Sequence, residues 1–299
     1  MKYNIRPISC VLFSLCLCVS VVSFSARAED DDAHAVRIGL VSSLFRDTSE
    51  PLMQIIMRPF KSLLEVQTGM RGQLLPGGDA QHLAQRLKAG EAHLGIFHGV
   101  EFAWAKAKIP QLKPLLIAVN KQPFLRAHLL VRADGAIQSV DDLKGCVVAL
   151  PNLSREHCWL FLERRCVPSG QTAAKFFSRV SRPRDACYAI DDVIDGATGA
   201  AVIDDADLAA YRVRYPEYFA KVKVLLRSEA FPCAVIAYYP GTLNENLLEQ
   251  FRAGMLAAKD SRQGRQMMQM CRITSFEPVP NDFDKMLDDI AKAYPQLSK

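Results

Sequence analysis

Short apolar runs alternate along the first half of the chain with stretches whose apolar residues recur at helical spacing. The run at 36–41 predicts a strand, and a stretch that Pro51 opens and Gly69 ends predicts a helix. The same reading gives strands at 73–75, 94–97 and 115–119, with helices at 79–90 and 100–107 between them. This β-α-β-α-β-α-β order predicts a mainly parallel sheet with helices on both faces.

A second unit of the same style follows, and the chain then returns to the first. The second unit has predicted strands at 128–131, 146–150, 175–180 and 200–203, and helices at 154–166 and 184–195. The return consists of a strand at 233–238 and helices at 243–258, 264–271 and 283–294. The sequence therefore predicts an α/β protein of two lobes, with lobe one at 29–125 plus 232–299 and lobe two at 126–231. Two crossings between the lobes predict a hinge beside a cleft.

The first 28 residues have the three parts of a secretory signal peptide. Lys2 and Arg6 are basic, an apolar run spans 8–24, and Ala26-Arg27-Ala28 is a small-x-small cleavage site. A membrane anchor is the alternative, but the run is short for a span and Ser and Cys dilute it. Cleavage after Ala28 predicts an exported, periplasmic-type protein.

Composition and charge narrow the possible partners. The chain is 49% hydrophobic and 23% charged, which is ordinary for a globular protein with a substantial core. The net charge of +5 is mild, and no basic stripe interleaved with aromatic residues is present. The sequence therefore argues against nucleic-acid binding and favours, weakly, a small anionic ligand.

Six cysteines remain after the signal peptide is removed. An even number of cysteines in an exported protein predicts disulfides, although six buried thiols are the alternative. The predicted elements favour three pairs: Cys146–Cys166, Cys158–Cys187 and Cys233–Cys271. No Cys/His spacing indicates zinc, so no metal site is predicted.

The motifs of common enzymes do not occur in the sequence. There is no Gly-x-Ser-x-Gly elbow, no phosphate-binding Gly-Lys-Ser/Thr loop and no Gly-x-Gly-x-x-Gly fingerprint. His98 and Glu101 are close enough in sequence for a base and its orienting group, but such pairs are common by chance. We therefore expect a binding protein that is not an enzyme and carries no cofactor.

Several segments, taken in order, resemble the phosphonate-binding family of periplasmic proteins. They are Leu75–Asp79, Arg86–Gly99, Asp141–Ala149, Ala200–Asp204 and Ser228–Pro232. The resemblance covers nearly all of the chain after the signal peptide. It implies a type II periplasmic binding protein fold and a monomeric receptor that delivers a captured solute to the permease of an ABC importer. It does not fix the solute.

The sequence departs from the family pattern at two places. Where the family has a Ser-Thr-Ser-Gly run at the start of a helix, this chain has Asn152–Glu156. The family's histidine at the start of the following helix is missing, and Ser181, Arg182 and Arg184 lie in that region. Both departures argue against phosphonate itself. They leave a phosphate-like anion, an organic acid or a zwitterion, which Glu156 would suit.

Candidate site residues follow from the predicted sheets, because ligands of parallel α/β proteins bind beyond the carboxyl ends of strands. Helices begin there, and their free N–H groups and dipoles favour an oxyanion. The candidates share a place beyond a predicted strand end or at the start of the next helix: Ser43, Phe45, His98, Ser154, Arg155, Glu156, Arg182, Arg184 and Asp204.

Each candidate has a plainer alternative role. The Ser154 hydroxyl suits an anion, or it is a helix N-cap. The three arginines suit a carboxylate or phosphoryl group, or they are solvated. His98 is a cleft residue or a turn histidine, and Phe45 covers the ligand or makes an ordinary apolar contact. Asp204 binds a polar ligand group or caps the next helix.

A sensory role is the alternative to uptake. The same cleft would then report the ligand to a membrane receptor and not to an importer. The sequence contains no feature that decides between these two partners.

Overall fold

The computed structural model describes residues 35–46, 50–152 and 154–296, which form two α/β lobes joined by two chain crossings. The predicted signal peptide lies outside the described residues. None of the helices in the described ranges combines the length and the apolar character that a membrane span requires.

Thirteen strands build two large sheets and one small ladder within the described residues. In chain order they are β1 Val36–Val41, β2 Gly72–Gly78, β3 Leu94–Phe97, β4 Lys113–Val119, β5 Phe124–Leu125, β6 Ala127–Arg132, β7 Val147–Ala149, β8 Arg179–Ser181, β9 Ala200–Asp204, β10 Val222–Arg227, β11 Phe231–Pro232, β12 Ala234–Tyr238 and β13 Ser275–Glu277.

Eleven α-helices connect these strands within the described residues. They are α1 Glu50–Thr68, α2 Ala80–Lys88, α3 Gly99–Lys108, α4 Glu156–Arg165, α5 Ala173–Phe176, α6 Ala186–Ile194, α7 Asp205–Arg214, α8 Pro216–Phe219, α9 Glu245–Leu256, α10 Arg262–Met270 and α11 Phe283–Ala293. Three short 3₁₀ turns lie at Ser42–Phe45, Asp141–Leu143 and Ala257–Asp260.

The two sheets confirm the predicted α/β class. The first has the order β13-β4-β12-β3-β1-β2, and β1 to β4 point the same way because β12 lies antiparallel between β3 and β4. The second has the order β10-β6-β9-β7-β8, in which β6 alone runs against the other strands. Each sheet is therefore mainly parallel in direction, with antiparallel insertions that the sequence pattern did not predict.

Strand residues alternate between two apolar cores in each lobe. In β3, Phe97 packs on the face covered by α2, α3 and α11, and Leu94 on the face covered by α1, α9 and α10. In β9, Val202 faces α4 and Ala201 faces α6 and α7. Because both faces of these strands are buried, their sequences are nearly continuous apolar runs.

The chain crosses between the lobes through the small ladder of β5 and β11. Phe231 pairs with Leu125 and Pro232 with Phe124, in antiparallel register. The buried Phe231 ring lies 4.6 Å from the ring of Tyr294, which follows α11. Along the chain β5 lies between β4 and β6, and β11 lies between β10 and β12, so each strand of the ladder connects the two large sheets.

One predicted strand is wrong in its extent. The sequence predicted a strand at 175–180, but the structure has the short helix α5 and then a strand that begins only at Arg179. Phe176 and Phe177 are both buried in the core of lobe two, with rings 5.0 Å apart. Their apolar character reflects this core contact and not a strand. Strands β10 and β13 were not predicted at all.

The predicted disulfides are absent, because all six cysteines of residues 35–296 are free thiols. Cys158 packs on one face of the second sheet and Cys187 on the other, so the sheet separates them. In the first lobe, Cys233 lies in one core, whereas the Cys271 thiol lies 3.7 Å from Met267 Sδ in the opposite core.

The third predicted pair shares one core but is also unlinked. Cys146 lies just before β7, and its thiol contacts the Asp142 carbonyl. Cys166 directly follows α4 and is fully buried. Since none of the three pairs is formed, the fold is held by its apolar cores and not by covalent bridges.

We expect six reactive thiols in the protein purified without reductant, lacking its signal peptide and unfolded in denaturant. Fewer will react in the native state, because Cys158, Cys166 and Cys233 are buried. Titration with a thiol-specific chromophore in both states measures these numbers. Four or fewer reactive thiols in denaturant would contradict the structure, because at least one disulfide would then be present.

Candidate ligand-binding site

Strand ends of the two sheets meet across a cleft between the lobes. In lobe one, β1 leads into the turn Ser42–Phe45 and β3 leads to His98. In lobe two, β7 leads into the segment before α4, and β9 ends at Asp204. This is the edge of a parallel sheet at which α/β proteins place their ligands.

Ion pairs and a charged hydrogen bond join the lobes across this cleft. The Arg46 guanidinium pairs with Glu156, and the Arg272 guanidinium pairs with Asp207. Arg155 donates to the backbone carbonyl of Arg272. Glu156 is buried and needs a partner there, because an unpaired buried carboxylate is costly. These guanidiniums are therefore engaged by the protein's own groups.

A second polar network joins the two lobes beside the β5–β11 ladder, where the chain crosses between them. Arg165, in the last turn of α4, donates to Glu229 at 2.7 and 2.9 Å and to the Ala293 carbonyl at 2.9 Å. The Tyr294 hydroxyl donates to the other Glu229 oxygen at 2.6 Å. The Arg165 guanidinium also lies 4.8 Å from the Tyr294 ring centroid. The network ties α4 of lobe two to the C-terminal helix of lobe one.

Glu101 is a buried carboxyl group in the first turn of α3. The Ser43 hydroxyl donates to it at 2.6 Å. Burial raises the pKa of Glu101 to about 7, and the nearby Glu156 carboxylate adds to the rise, although the Ser43 hydrogen bond opposes it. Glu101 is thus close to half protonated at neutral pH and can donate as well as accept a hydrogen bond.

His98 lies between β3 and α3, where the chain is held tightly against the crossing. A Cβ at Gly99 would lie only 2.3 Å from the Pro232 carbonyl oxygen, so only glycine fits directly after His98. The His98 Nε2 atom is buried and has no hydrogen-bond partner among the described residues.

Burial lowers the pKa of His98 to about 3, and the charges of His157 and Arg155 add to the effect. A hydrogen bond to the Ser43 backbone acts in the opposite direction, which means that the ring donates to a carbonyl. Since Nε2 is the atom without a partner, the donor is Nδ1 and Nε2 carries a lone pair. His98 is therefore a neutral acceptor at the cleft.

His157, Cys158 and Asp204 form a buried cluster on the lobe-two side. The His157 Nε2 atom lies 3.1 Å from Asp204 Oδ2 and 3.4 Å from Cys158 Sγ. The other oxygen, Asp204 Oδ1, accepts from the Ala206 backbone N–H at 2.8 Å and caps α7. Burial alone would raise the pKa of Asp204, but His157 and then Arg155 hold it well below its ordinary range.

Trp159 brings an aromatic face and one fixed donor to the cleft. Its ring lies 5.4 Å from the Arg46 guanidinium and 4.5 Å from that of Arg182. Its Nε1 atom is buried and has no partner among the described residues. Indole N–H is a donor only, so this atom needs an acceptor.

The structure brings most of the predicted site residues to this region. His98, Arg155 and Asp204 lie in the polar cluster between the lobes. Ser43 contacts Glu101 rather than open space. The backbone of Phe45 ends the turn after β1, and its side chain lies outside the described part of the chain.

The remaining predicted residues lie near the cleft in roles that the sequence did not give. The Ser154 hydroxyl donates to the Pro151 carbonyl at 2.7 Å, and Arg155, not Ser154, is the N-cap residue of α4. Glu156 is held by its ion pair. Arg182 stacks on Trp159, and the Arg184 side chain is three-quarters exposed beside Asp185 and Tyr188.

Sequence reasoning missed five residues of the cleft: Arg46, His157, Trp159, Asp207 and Arg272. The run His157-Cys158-Trp159 was visible as an unusual polar and aromatic start to a helix. Arg272 comes from the segment after α10, far along the chain, and its backbone φ of 55° is unusual for a residue other than glycine. No local pattern predicts its contact with lobe two.

A cavity of about 260 Å³ lies at the strand ends of lobe two and reaches Arg272 of lobe one. Its lining includes Asn152, Ser154, Arg184, Tyr211, Arg214 and Arg272. It borders the buried cluster through Arg155 and Asp204. The volume suits a small solute rather than a macromolecule.

Two mainly parallel α/β lobes with a polar cleft at their strand ends define a two-lobed solute-binding protein. The chain belongs to the phosphonate family of periplasmic substrate-binding proteins of ABC transporters, whose family profile matches residues 44–283. The family consists of transport receptors and not enzymes. No curated protein sequence matches the chain significantly.

Solved structures confirm the fold. XAC2383 from Xanthomonas citri bound to chloride ion is similar with a TM-score of 0.59, at 16% identity over 87% of this chain and 97% of that one. PhnD1 from Prochlorococcus marinus in complex with methylphosphonate gives 0.56, at 13% identity over 87% and 97%. A binding protein component of an ABC phosphonate transporter (PA3383) from Pseudomonas aeruginosa gives 0.55, at 14% identity over 88% and 90%.

We expect Glu101→Gln to change how stability depends on pH. Folding raises the pKa of Glu101 from 4.5 to about 7, so the folded protein holds this proton more tightly than the unfolded chain does. The resulting stabilisation is complete below about pH 4.5 and is lost as the pH rises through 7. Relative to the variant, the wild-type protein will lose up to about 3 kcal/mol of unfolding free energy between pH 4.5 and 8.

Urea unfolding of both proteins at several pH values measures this difference. Glutamine keeps an oxygen for the Ser43 hydroxyl, so the comparison isolates the titration of the carboxyl group. Parallel curves for the two proteins would mean that Glu101 titrates as an exposed carboxylate does.

Proposed function

We propose that the interlobe cleft captures a small oxyacid that is partly protonated, such as a hydrogen phosphate-like or hydrogen phosphonate-like anion, or a zwitterion. Three buried nitrogen atoms without partners among the described residues support this most directly: His98 Nε2, His157 Nδ1 and Trp159 Nε1. Buried polar atoms are rarely left unsatisfied, because each costs about 1–3 kcal/mol. A bound solute supplies the missing partners.

The helix that begins at the cleft favours negative charge. The first turn of α4 has no side-chain cap, since Arg155 occupies the N-cap position without such a hydrogen bond. Free N–H groups and the positive end of the helix dipole bind oxyanions well. The Trp159 N–H adds a further donor from the same helix. An acceptor oxygen of the ligand satisfies both.

The lobe-one side of the cleft favours a ligand that carries a hydrogen-bond donor. His98 Nε2 is an acceptor, so it needs a hydrogen-bearing group. A P–OH, a carboxylic O–H or an ammonium group meets this need, and a fully ionised oxyanion does not. The buried acidic groups Glu156 and Asp204 are compatible with an ammonium group, which keeps a zwitterion within the class.

The pairing of two cleft arginines with carboxylates favours a ligand with at most one negative charge over a dianion. Arg46 and Arg272 each pair with a carboxylate of the other lobe. They therefore hold the lobes together and neutralise the cleft rather than supply a surplus of positive charge. A ligand of one negative charge, or of no net charge, fits a site of this balance.

Closure of the lobes and delivery to an importer complete the proposal. The lobes are 29–125 plus 232–299 and 126–231, and the β5–β11 ladder is the hinge between them. The protein acts as an exported monomer after cleavage following Ala28. It hands its anionic solute to the permease of an ABC importer, in keeping with its family.

We expect Trp159→Phe to weaken solute binding by about 10- to 100-fold, because it removes one hydrogen bond to a charged ligand and keeps the ring. The solute is first found by a thermal-shift screen of phosphate, phosphite, alkylphosphonates, sulfonates, dicarboxylates and amino acids. Isothermal titration with the best compound then gives the dissociation constants.

Trp104→Phe is the matched control. The Trp104 N–H donates to the Tyr294 carbonyl at 2.8 Å, so its loss removes a hydrogen bond outside the proposed contacts. It is expected to leave the affinity within about threefold of the wild-type value. Equal losses in both variants, or no binding by any member of the panel, would contradict the proposed site.

A further inference from the structure

The cluster of His157, Cys158 and Asp204 has more side-chain chemistry than solute binding requires. One ligand-type atom from each residue lies within 4.8 Å of the others, and all three residues are buried. The separations are 3.1 Å from His157 Nε2 to Asp204 Oδ2 and 3.4 Å from His157 Nε2 to Cys158 Sγ.

These separations match the edges of a tetrahedral metal site. Bonds of about 2.0–2.1 Å to nitrogen or oxygen and about 2.3 Å to sulfur, at tetrahedral angles, place neighbouring ligand atoms about 3.3–3.6 Å apart. The third separation, between Cys158 Sγ and the Asp204 carboxylate, is within 4.8 Å, so a cation between the three atoms would draw these two ligands together.

A simple hydrogen bond explains only part of the cluster. The single Nε2 atom of His157 is close to both Asp204 Oδ2 and Cys158 Sγ, yet one N–H serves one acceptor well. A cation is attracted to all three atoms at once, since each offers a lone pair. The cluster is therefore better matched to a metal ion than to a His–Asp pair alone.

Rigid elements hold the three side chains. His157 and Cys158 are in the first turn of α4, and the His157 ring lies 5.6 Å from the Phe231 ring. Asp204 ends β9, and its other oxygen is fixed by the Ala206 N–H at 2.8 Å. A site with ligands on such elements loses little conformational freedom when a metal binds.

We propose that His157 Nε2, Cys158 Sγ and Asp204 Oδ2 bind a transition-metal dication, for which Zn²⁺ is the best match, on the lobe-two side of the cleft. Imidazole, thiolate and carboxylate are all zinc ligands. A thiolate and a carboxylate balance the two positive charges, so the buried site is neutral. Three protein ligands leave a fourth position for water or a solute oxygen.

Metal binding displaces the thiol proton. The free Cys158 is a thiol, because burial and then the charges of Asp204 and Asp207 raise its pKa well above the ordinary value. Zn²⁺ replaces this proton, which passes to solvent, and forms the Zn–S bond with no change of oxidation state. Coordination through Nε2 also leaves the proton of the His157 ring on Nδ1, the atom without a partner among the described residues.

Cobalt substitution tests the site directly. The purified protein is stripped with EDTA, dialysed and titrated with Co²⁺. We expect one tightly bound ion per chain, visible bands of tetrahedral cobalt and a near-ultraviolet thiolate-to-cobalt band. Titration with Zn²⁺ should remove these bands, and calorimetry in buffers of different ionisation enthalpy should show release of about one proton per ion.

Cys158→Ser is expected to abolish the thiolate band and to weaken Zn²⁺ binding about 100-fold or more, because it removes a ligand. Cys187→Ser is the matched control, since Cys187 lies in the first turn of α6 on the other face of the sheet. His157→Ala and Asp204→Asn test the other two ligands. Thermal melting of every variant shows whether it is folded.

Absence of the thiolate band in the wild-type protein would overturn the proposal, and so would a band that survives Cys158→Ser but disappears in Cys187→Ser. The inference does not rest on the proposed solute. Oxyanion binding measured in EDTA reports on the solute site alone, so failure of the metal site and failure of the solute site are distinguishable.

Discussion

Ion pairing between the two lobes is the constraint on which the rest of the structure depends. Arg46 pairs with Glu156 and Arg272 with Asp207, and each pair joins one lobe to the other. Removing Arg46 leaves the buried Glu156 carboxylate without its partner, which is costly, so this pair helps to fix how the lobes meet. Because these pairs use Arg46 and Arg272, the proposed solute recognition rests on the imidazole, indole and helix N–H groups.

The position of these groups follows from the sheets. Two mainly parallel sheets turn their carboxyl edges toward each other, and their loops supply His98 from one lobe and Asp204 from the other. Helix α4 begins at the same edge and brings His157, Cys158 and Trp159 in its first turn. The proposed solute site and the proposed metal site thus share one helix and one strand end.

Local sequence signals were sufficient for the α/β fold class and for the position of several strand ends. The alternation of apolar runs and helical stretches predicted the α/β class and the strand ends, and so led to His98, Arg155 and Asp204. It did not predict contacts between distant segments, such as Arg46 with Glu156 or Arg272 with Asp207, because these depend on how the two lobes pack against each other.

The errors have similar physical causes. Ser154 was expected either to bind an anion or to cap a helix; it is not the cap, because the helix begins after Arg155 and the serine hydroxyl donates to the Pro151 carbonyl. The cysteine pairs were predicted from the end of the strand or helix at which each cysteine lies. That prediction did not consider on which face of the sheet each cysteine packs. A sheet keeps Cys158 from Cys187, and adjacency in sequence brings Cys158 to His157. The cluster of His157, Cys158 and Asp204 could not be predicted from local sequence, because Asp204 comes from a separate strand, β9.

Nitrogen NMR of histidine side chains tests the solute site most directly. The protein, labelled with ¹⁵N in histidine, is titrated with the strongest binder of the oxyanion panel. The account predicts that the ring resonances of His98 and His157 change with the same binding constant, whereas those of His82 on α2 stay in place. Unchanged His98 and His157 resonances at saturation would contradict it, because the solute would then bind outside the cleft.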